Sequence, residues 1–272
     1  MVRYGERWAA AARRPDGAVV THEEAVPAWA GRCRKVPVVR GTVALASTVA
    51  LGMRALSWSR QVAEGEQQSR RSVVAATLLS VAVFVTVFAL APAAAARLAT
   101  GDHDGAAFAA TETLARLALF VGYVAAIGRL PGIRRTFEYH GAEHQAIAAT
   151  EAGDVLDLEH VRRYSPRHAR CGTDFLVLVA VVAVVVFAVV SPRAWWALGL
   201  SRVLLLPVVA GVAYEVLRVS DRPGVARWLR PVMAPALAVQ RLTTRTPADD
   251  QIAVAITAVE AALRPAPGRA TA

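Results

Sequence analysis

The apolar residues of this chain gather in long runs separated by short arginine-rich segments. The clearest run, Val73 to about Ala95, has a 19-residue core, VVAATLLSVAVFVTVFALA, without a charge, close to the ~20 residues a helix needs to cross a bilayer. A second run covers about Leu114 to Leu130, with Arg116 and Arg129 near its ends, where long side chains snorkel. The third, Phe175 to Val190, contains only Phe, Leu, Val and Ala. It extends toward Trp195 and Trp196, residues suited to a headgroup belt. The fourth, about Leu198 to Leu217, contains Arg202, Pro207, Gly211, Tyr214 and Glu215. Arg202 is near enough to the outer end to snorkel, and Pro207 and Gly211 bend or loosen the helix beside Glu215. These runs predict about four transmembrane helices.

Other segments have mixed patterns. From Val38 to Trp58, Leu45, Val49, Gly52, Met53 and Leu56 share one helical face, while Arg40, Ser47 and Arg54 recur every seven residues opposite. That predicts an amphipathic helix lying at the interface or against the bundle. Between Trp8 and Glu24, the turn Arg14-Pro15-Asp16-Gly17 separates two short runs and predicts a β-hairpin, with alanines weakening its first strand. In the tail, Thr243, Thr244 and Pro247 interrupt the pattern, and Ile252, Ile256 and Val259 predict a final short helix. The expected class is therefore an all-α membrane protein with a small N-terminal β-element. Its parts are a polar cap over 1–37, an amphipathic helix and linker over 38–71, a bundle over 72–218 with a polar loop over 131–174, and a tail over 219–272 that ends in disorder.

Charge sets the expected orientation. Arg and Lys number 12 in residues 1–71, one in 96–113, six in 131–173, one in 191–197 and eight in 218–272. Four spans with both termini cytoplasmic satisfy the positive-inside rule at every loop and imply the plasma membrane. The net charge of +10 lies beside apolar runs, so membrane lipid is the expected partner and nucleic acid is not. Protein partners are not specified. The opening MVRYGERWAAAARRPDG has no apolar h-region, so membrane entry is expected from the internal spans. Cys33 and Cys171 make no disulfide framework.

One stretch has the residues for chemistry. In FEYHGAEHQAIAATEAGD, His140 and His144 stand one helical turn apart. Two neutral imidazoles at that spacing can bind a divalent ion such as zinc, and Glu143 can act as general base on a metal-bound water. His140-x-x-Glu143-His144 is formally the inverted zincin pattern. Glu151, His168, Cys171 and Glu215 are candidates for a third ligand. The alternative is a solvated polar face at a membrane boundary. In YSPRHARCGTD, Cys171 beside Arg170 and a helix start is either a thiol of lowered pKa or a small buried cysteine.

ARRPDGAVV, VPVVRGTVALASTVALGMRALSWS, FEYHGAEHQAIAATE, RHARCGTDFL, AGVAYEVLR and QRLTTRTPADDQIAVAI occur in this order. Together they resemble the YqhQ-like family of bacterial multi-pass membrane proteins, a domain of unknown function often labelled a predicted metal-dependent enzyme. The resemblance implies that His140, Glu143, His144, Glu151, His168, Arg170, Cys171, Tyr214 and Glu215 fall on the family's polar motifs. The chain departs from the family pattern in several places. It starts after the family's leading GGQAV-x-EGV, so either the true start lies upstream or a family carboxylate is missing, and it has Gln145 where the family has Lys. Ala169 replaces a proline, and Thr246 and Ala253 replace acidic residues. The leading expectation is a metal-dependent membrane enzyme, hydrolytic, acting on peptide or lipid-linked substrates at the cytoplasmic face. A non-catalytic membrane scaffold or assembly factor is the alternative. A transporter ranks last, since no internal repeat is visible.

Overall fold

The computed structural model describes residues 1–31, 35–65, 69–101, 105–168, 171–190, 194–220, 224, 234 and 238–264. Cys33, Arg170 and the final segment expected to be disordered lie outside them, as does the side chain of Trp195.

The chain is mostly helical, with one small sheet. Strands β1 (Val2–Tyr4), β2 (Arg7–Arg13) and β3 (Val19–Ala25) pair antiparallel in the order β1-β2-β3. The β2–β3 turn lies at Arg14-Pro15-Asp16-Gly17, where Gly17 takes φ 89° and its N–H donates to the Arg14 carbonyl. β2 does not alternate apolar with polar because both its faces are covered. Trp8 and Ala10 pack on Leu51 and Ala55 of α1 (Val39–Glu64), while Ala9 faces the opposite core. The alanines that weaken β2 as an isolated strand let helices approach on both sides.

That opposite core joins distant parts of the chain. Ala142, Ala146 and Ala149 of α5 (Pro131–Glu151) meet Ile252, Ile256 and Val259 of the last helix, α10 (Asp249–Leu263), with Val161 of the short α6 (Leu158–Val161). α5 starts at Pro131, whose missing N–H costs nothing in a first turn. α10 starts where the Gln251 side chain accepts the Ala248 N–H at 2.8 Å, with Asp249 and Asp250 in its first turn. The N-terminal sheet and the C-terminal helix thus form one unit around α5.

The remaining helices are apolar. α2 (Arg70–Val85), a π-helical turn at Thr86–Leu90 and α3 (Ala91–Thr100) run on as one helix. α4 (Gly105–Ile127) returns beside it. Among the described residues, Arg71–Thr100 and Gly105–Ile127 are the two helices long and apolar enough to cross a membrane. α8 (Trp195–Leu204) and α9 (Leu206–Ser220) make a third if counted together, although they bend by 41° at Leu205. Pro207 explains the break, since it lacks an N–H and its ring clashes with the preceding turn. In α7 (Gly172–Val189), the described apolar part, Val177–Phe187, is shorter than a span. Among the described residues the structure therefore gives two or three helices of crossing length where about four spans were expected.

Two expectations within these helices are corrected. Arg116 and Arg202 do not snorkel. Arg202 is fully buried and grips Glu112 with Nε and Nη2 at 3.0 and 2.9 Å, and Arg116 Nη2 reaches the same carboxylate at 2.6 Å. Glu112 precedes the apolar run that starts at Leu114, so the sequence pattern places it in the loop before the span. The helix begins at Gly105 and takes Glu112 inward. Part of the stripe on α1 also faces protein: Ser47 is buried and Arg40 pairs with Glu215, while Arg54 is exposed and pairs with Glu24, and Val49 and Leu56 point outward.

Candidate metal centre

α5 has a polar face as well as an apolar one. Ala142, Ala146 and Ala149 face the core, and His140 and His144 stand together on another side, with ring centroids 4.4 Å apart. Each ring is held by a backbone carbonyl from a remote segment. His140 Nδ1 donates to the Thr243 carbonyl at 2.9 Å, and His144 Nδ1 to the Pro166 carbonyl at 2.8 Å. A carbonyl only accepts, so Nδ1 carries the proton and Nε2 of each neutral ring presents a lone pair.

Cys171 completes the group. Its Sγ lies 3.2 Å from His140 Nε2, and one ring nitrogen from each histidine and this sulfur all fall within 4.8 Å of one another. His144 and Cys171 are buried. Burial pulls the His140 pKa down, but the Cys171 hydrogen bond and charge, the Thr243 carbonyl and the nearby Glu143 outweigh it and hold it above its ordinary value.

The segments that present these groups are pinned. In the extended stretch 244–248, the Arg245 N–H donates to the Phe137 carbonyl at 3.0 Å. Gly141 permits this approach, because a Cβ there would run into the Arg245 carbonyl oxygen. Gln145 is buried and donates to the Tyr164 carbonyl at 2.7 Å, which ties down the loop leading to Pro166. Gln240 is fully buried; it accepts the His168 N–H at 3.2 Å and donates to the His168 carbonyl at 2.8 Å.

Of the four candidates for a third donor, Cys171 alone joins both imidazoles within that distance among the described residues. His168 and Glu151 pair with each other at 3.1 Å, and the His168 ring is 5.9 Å from that of His144. Glu215 does not join the group: it binds Arg40 and the Val38 N–H near the start of α1. Tyr214 packs with the cluster of Phe175, Leu178 and Ala213. Glu143 and His140 both line a cleft of about 840 Å³ between β2, α1, α5 and α10, where Glu143 lies 3.4 Å from the amino nitrogen of Met1. Sequence reasoning missed Glu112, Gln240 and the two orienting carbonyls, and it named Gln145 only as a departure from the family pattern. Only Glu112 left a signal, its i, i+4 spacing to Arg116 on an apolar helix.

The three donors are an acceptable set for a borderline ion such as zinc, two neutral imidazoles and a thiol, with backbone partners that fix both rings. A family model described as "Protein of unknown function (DUF1385)" matches residues 36–265. The "Uncharacterized protein YqhQ" of Bacillus subtilis (strain 168) is 32% identical over 248 residues, which cover 85% of this chain and 78% of that protein. No solved structure matches.

Proposed function

The chain belongs to the DUF1385 family of proteins of unknown function, and we propose that it is a multi-pass membrane protein that holds one divalent metal ion on His140, His144 and Cys171 and uses it in hydrolysis. The observation that carries the reading is the convergence of a thiol and two imidazoles, each imidazole oriented through Nδ1 by a carbonyl far away in sequence. Solvated surface histidines have no need of such partners.

Membrane insertion is supported by apolar surface that the protein leaves uncovered. Leu78, Leu79, Val81 and Val83 on α2, Leu114 on α4 and Val185 on α7 are all more than half exposed. Large exposed apolar areas are uncommon on water-soluble monomers.

A tetrahedral zinc site has bonds of about 2.0–2.1 Å to nitrogen and about 2.3 Å to sulfur. Donors within 4.8 Å of one another reach that geometry by small side-chain movements. When bound, the ion supplies Lewis acidity and lowers the pKa of a coordinated water toward ~7. His140 would offer Nε2, the nitrogen beside Cys171 Sγ, His144 would offer the ring nitrogen that Pro166 leaves free, and Cys171 would offer its sulfur as thiolate. Glu143, which lines the same cleft as His140, would take the proton from the attacking water. The cleft, also lined by α1 and β2, would receive the substrate. Peptides and lipid-linked compounds are both suitable substrate classes.

The test is metal analysis of protein purified without chelators. One ion per chain is expected, with loss in His140→Ala, His144→Ala and Cys171→Ser. Glu143→Gln should keep the ion and lose hydrolysis across a panel of peptide and lipid-linked substrates. A metal-free wild-type protein, or a Cys171→Ser variant that binds as the wild type does, sinks the metal centre and leaves the scaffold reading. Undiminished activity in Glu143→Gln rejects the general base alone.

A further inference from the structure

Behind the imidazoles lies a separate cleft of about 390 Å³, lined by Arg134, Arg167, Arg241 and Arg245 together with Glu138 and Thr246. Four guanidinium groups stand against one carboxylate, a surplus of three positive charges. Glu138 is already engaged, accepting from Arg134 Nε at 3.3 Å and from Gln251 Nε2 at 3.1 Å. Among the described residues, no carboxylate lies within ion-pair distance of Arg167, Arg241 or Arg245. Arg245 Nη2 donates to the Gly128 carbonyl at 3.3 Å, just past α4, and its Nε is buried without an acceptor. A buried donor left unmet is a standing cost that an anion can remove.

We infer that this cleft binds a phosphate group. Planar guanidinium forks pair with phosphate oxygens two at a time, and a phosphate has enough charge and acceptors to satisfy several at once, which a carboxylate does not. The cleft opens where α4, one of the two helices of crossing length, ends. That places a lipid headgroup within reach, and a soluble phosphate has the same chemistry. The site does not depend on a metal, but it is built on the same two segments that orient the imidazoles. Pro166 lines the cleft and its carbonyl holds His144. Thr244 and Arg245 also line it, next to the Thr243 carbonyl that holds His140.

The test uses the full chain with two probes. Purified protein in neutral detergent is titrated calorimetrically with inorganic pyrophosphate. Protein in nanodiscs of phosphatidylcholine, with or without phosphatidic acid, is assayed for retained phosphatidic acid after extraction. Arg167 and Arg241 are exposed, so Arg167→Gln with Arg241→Gln, and each alone, should fold; Arg264→Gln is the control. Pyrophosphate binding that weakens at least about tenfold in the double variant assigns a free phosphate, since each tenfold reflects one strong charged hydrogen bond. Phosphatidic acid retention lost in the double variant, without pyrophosphate binding, assigns a lipid headgroup. Failure to bind either probe, or equal binding by the double variant, overturns the inference. Metal content should be unchanged in these variants, and His140→Ala should still bind phosphate, so this site and the metal centre can fail separately.

Discussion

Glu112→Gln is the most informative perturbation of the apolar helices. Glu112 on α4 receives Arg116 from its own helix and Arg202 from α8, with donor distances of 2.6, 3.0 and 2.9 Å. Both guanidinium groups also sit over the Phe187 ring, at 4.9 and 4.5 Å. Arg116 Nε reaches the Phe88 carbonyl in the π-helical turn at 3.1 Å, and Arg202 Nη1 reaches the Val190 carbonyl at 2.9 Å. The substitution leaves two buried cations facing each other with only carbonyls and a ring for compensation. Breaking one buried ion pair costs about 3–5 kcal/mol. Here two pairs share the lost carboxylate, so about 3 kcal/mol is a lower bound and the upper range approaches the whole stability of many domains. At roughly 2–4 °C per kcal/mol for a chain of this size, the midpoint in detergent should fall by at least about 6 °C. The other substitutions should rank below it. Arg116→Met leaves a neutral Glu112–Arg202 pair and should cost least. Arg202→Met leaves the Glu112–Arg116 pair but unties α4 from α8, and should be intermediate. Thermal unfolding in detergent and accumulation in membranes measure the series. A Glu112→Gln midpoint within about 2 °C of wild type, or a larger loss in Arg116→Met, would refute the argument that the carboxylate is the hub.

Three further outcomes are expected. Gly141→Ala places a methyl group against the Arg245 carbonyl, so it should destabilise the unit of sheet, α5 and α10 by about 1–3 kcal/mol in thermal unfolding; an unchanged midpoint would mean that stretch 244–248 does not lie against α5. The Asp157 side chain, by hydrogen bond and charge, holds the His160 pKa above 6.5, so its contribution is complete below 6.5 and is lost as pH rises through the elevated value. In Asp157→Asn the ring resonances should titrate nearer 6.5, and no movement would show that the pair does not persist in solution. Reporter fusions at Gly101 and Arg193 should report outside and those at Gly153 and Thr271 inside, and an outside signal at Gly153 would overturn the proposed orientation.

Much of the fold was legible because its signals are local. The Pro15-Asp16-Gly17 turn, the charge-free run after Val73, the periodic Ile252, Ile256 and Val259, and the four-residue spacing of His140 and His144 all depend on neighbours within a turn or two. The sequence by itself therefore determined where most helices and the hairpin would form, and that two imidazoles would share a face. It offered Glu151, His168, Cys171 and Glu215 on equal terms as their companion, because nothing local ranks residues that lie far apart in sequence. The tertiary structure brought Cys171 in across 31 residues and the Thr243 carbonyl across 103, and it committed Glu215 to Arg40. Packing also decided the fate of the buried charges. Arg202 reads as a snorkelling residue when its helix is taken alone, yet it turns inward once α4 places Glu112 opposite, since a paired guanidinium inside an apolar bundle is far less costly than a lone one. Which polar groups meet depends on how the helices pack, and that is set by the summed burial of many apolar contacts, not by the spacing within any one segment.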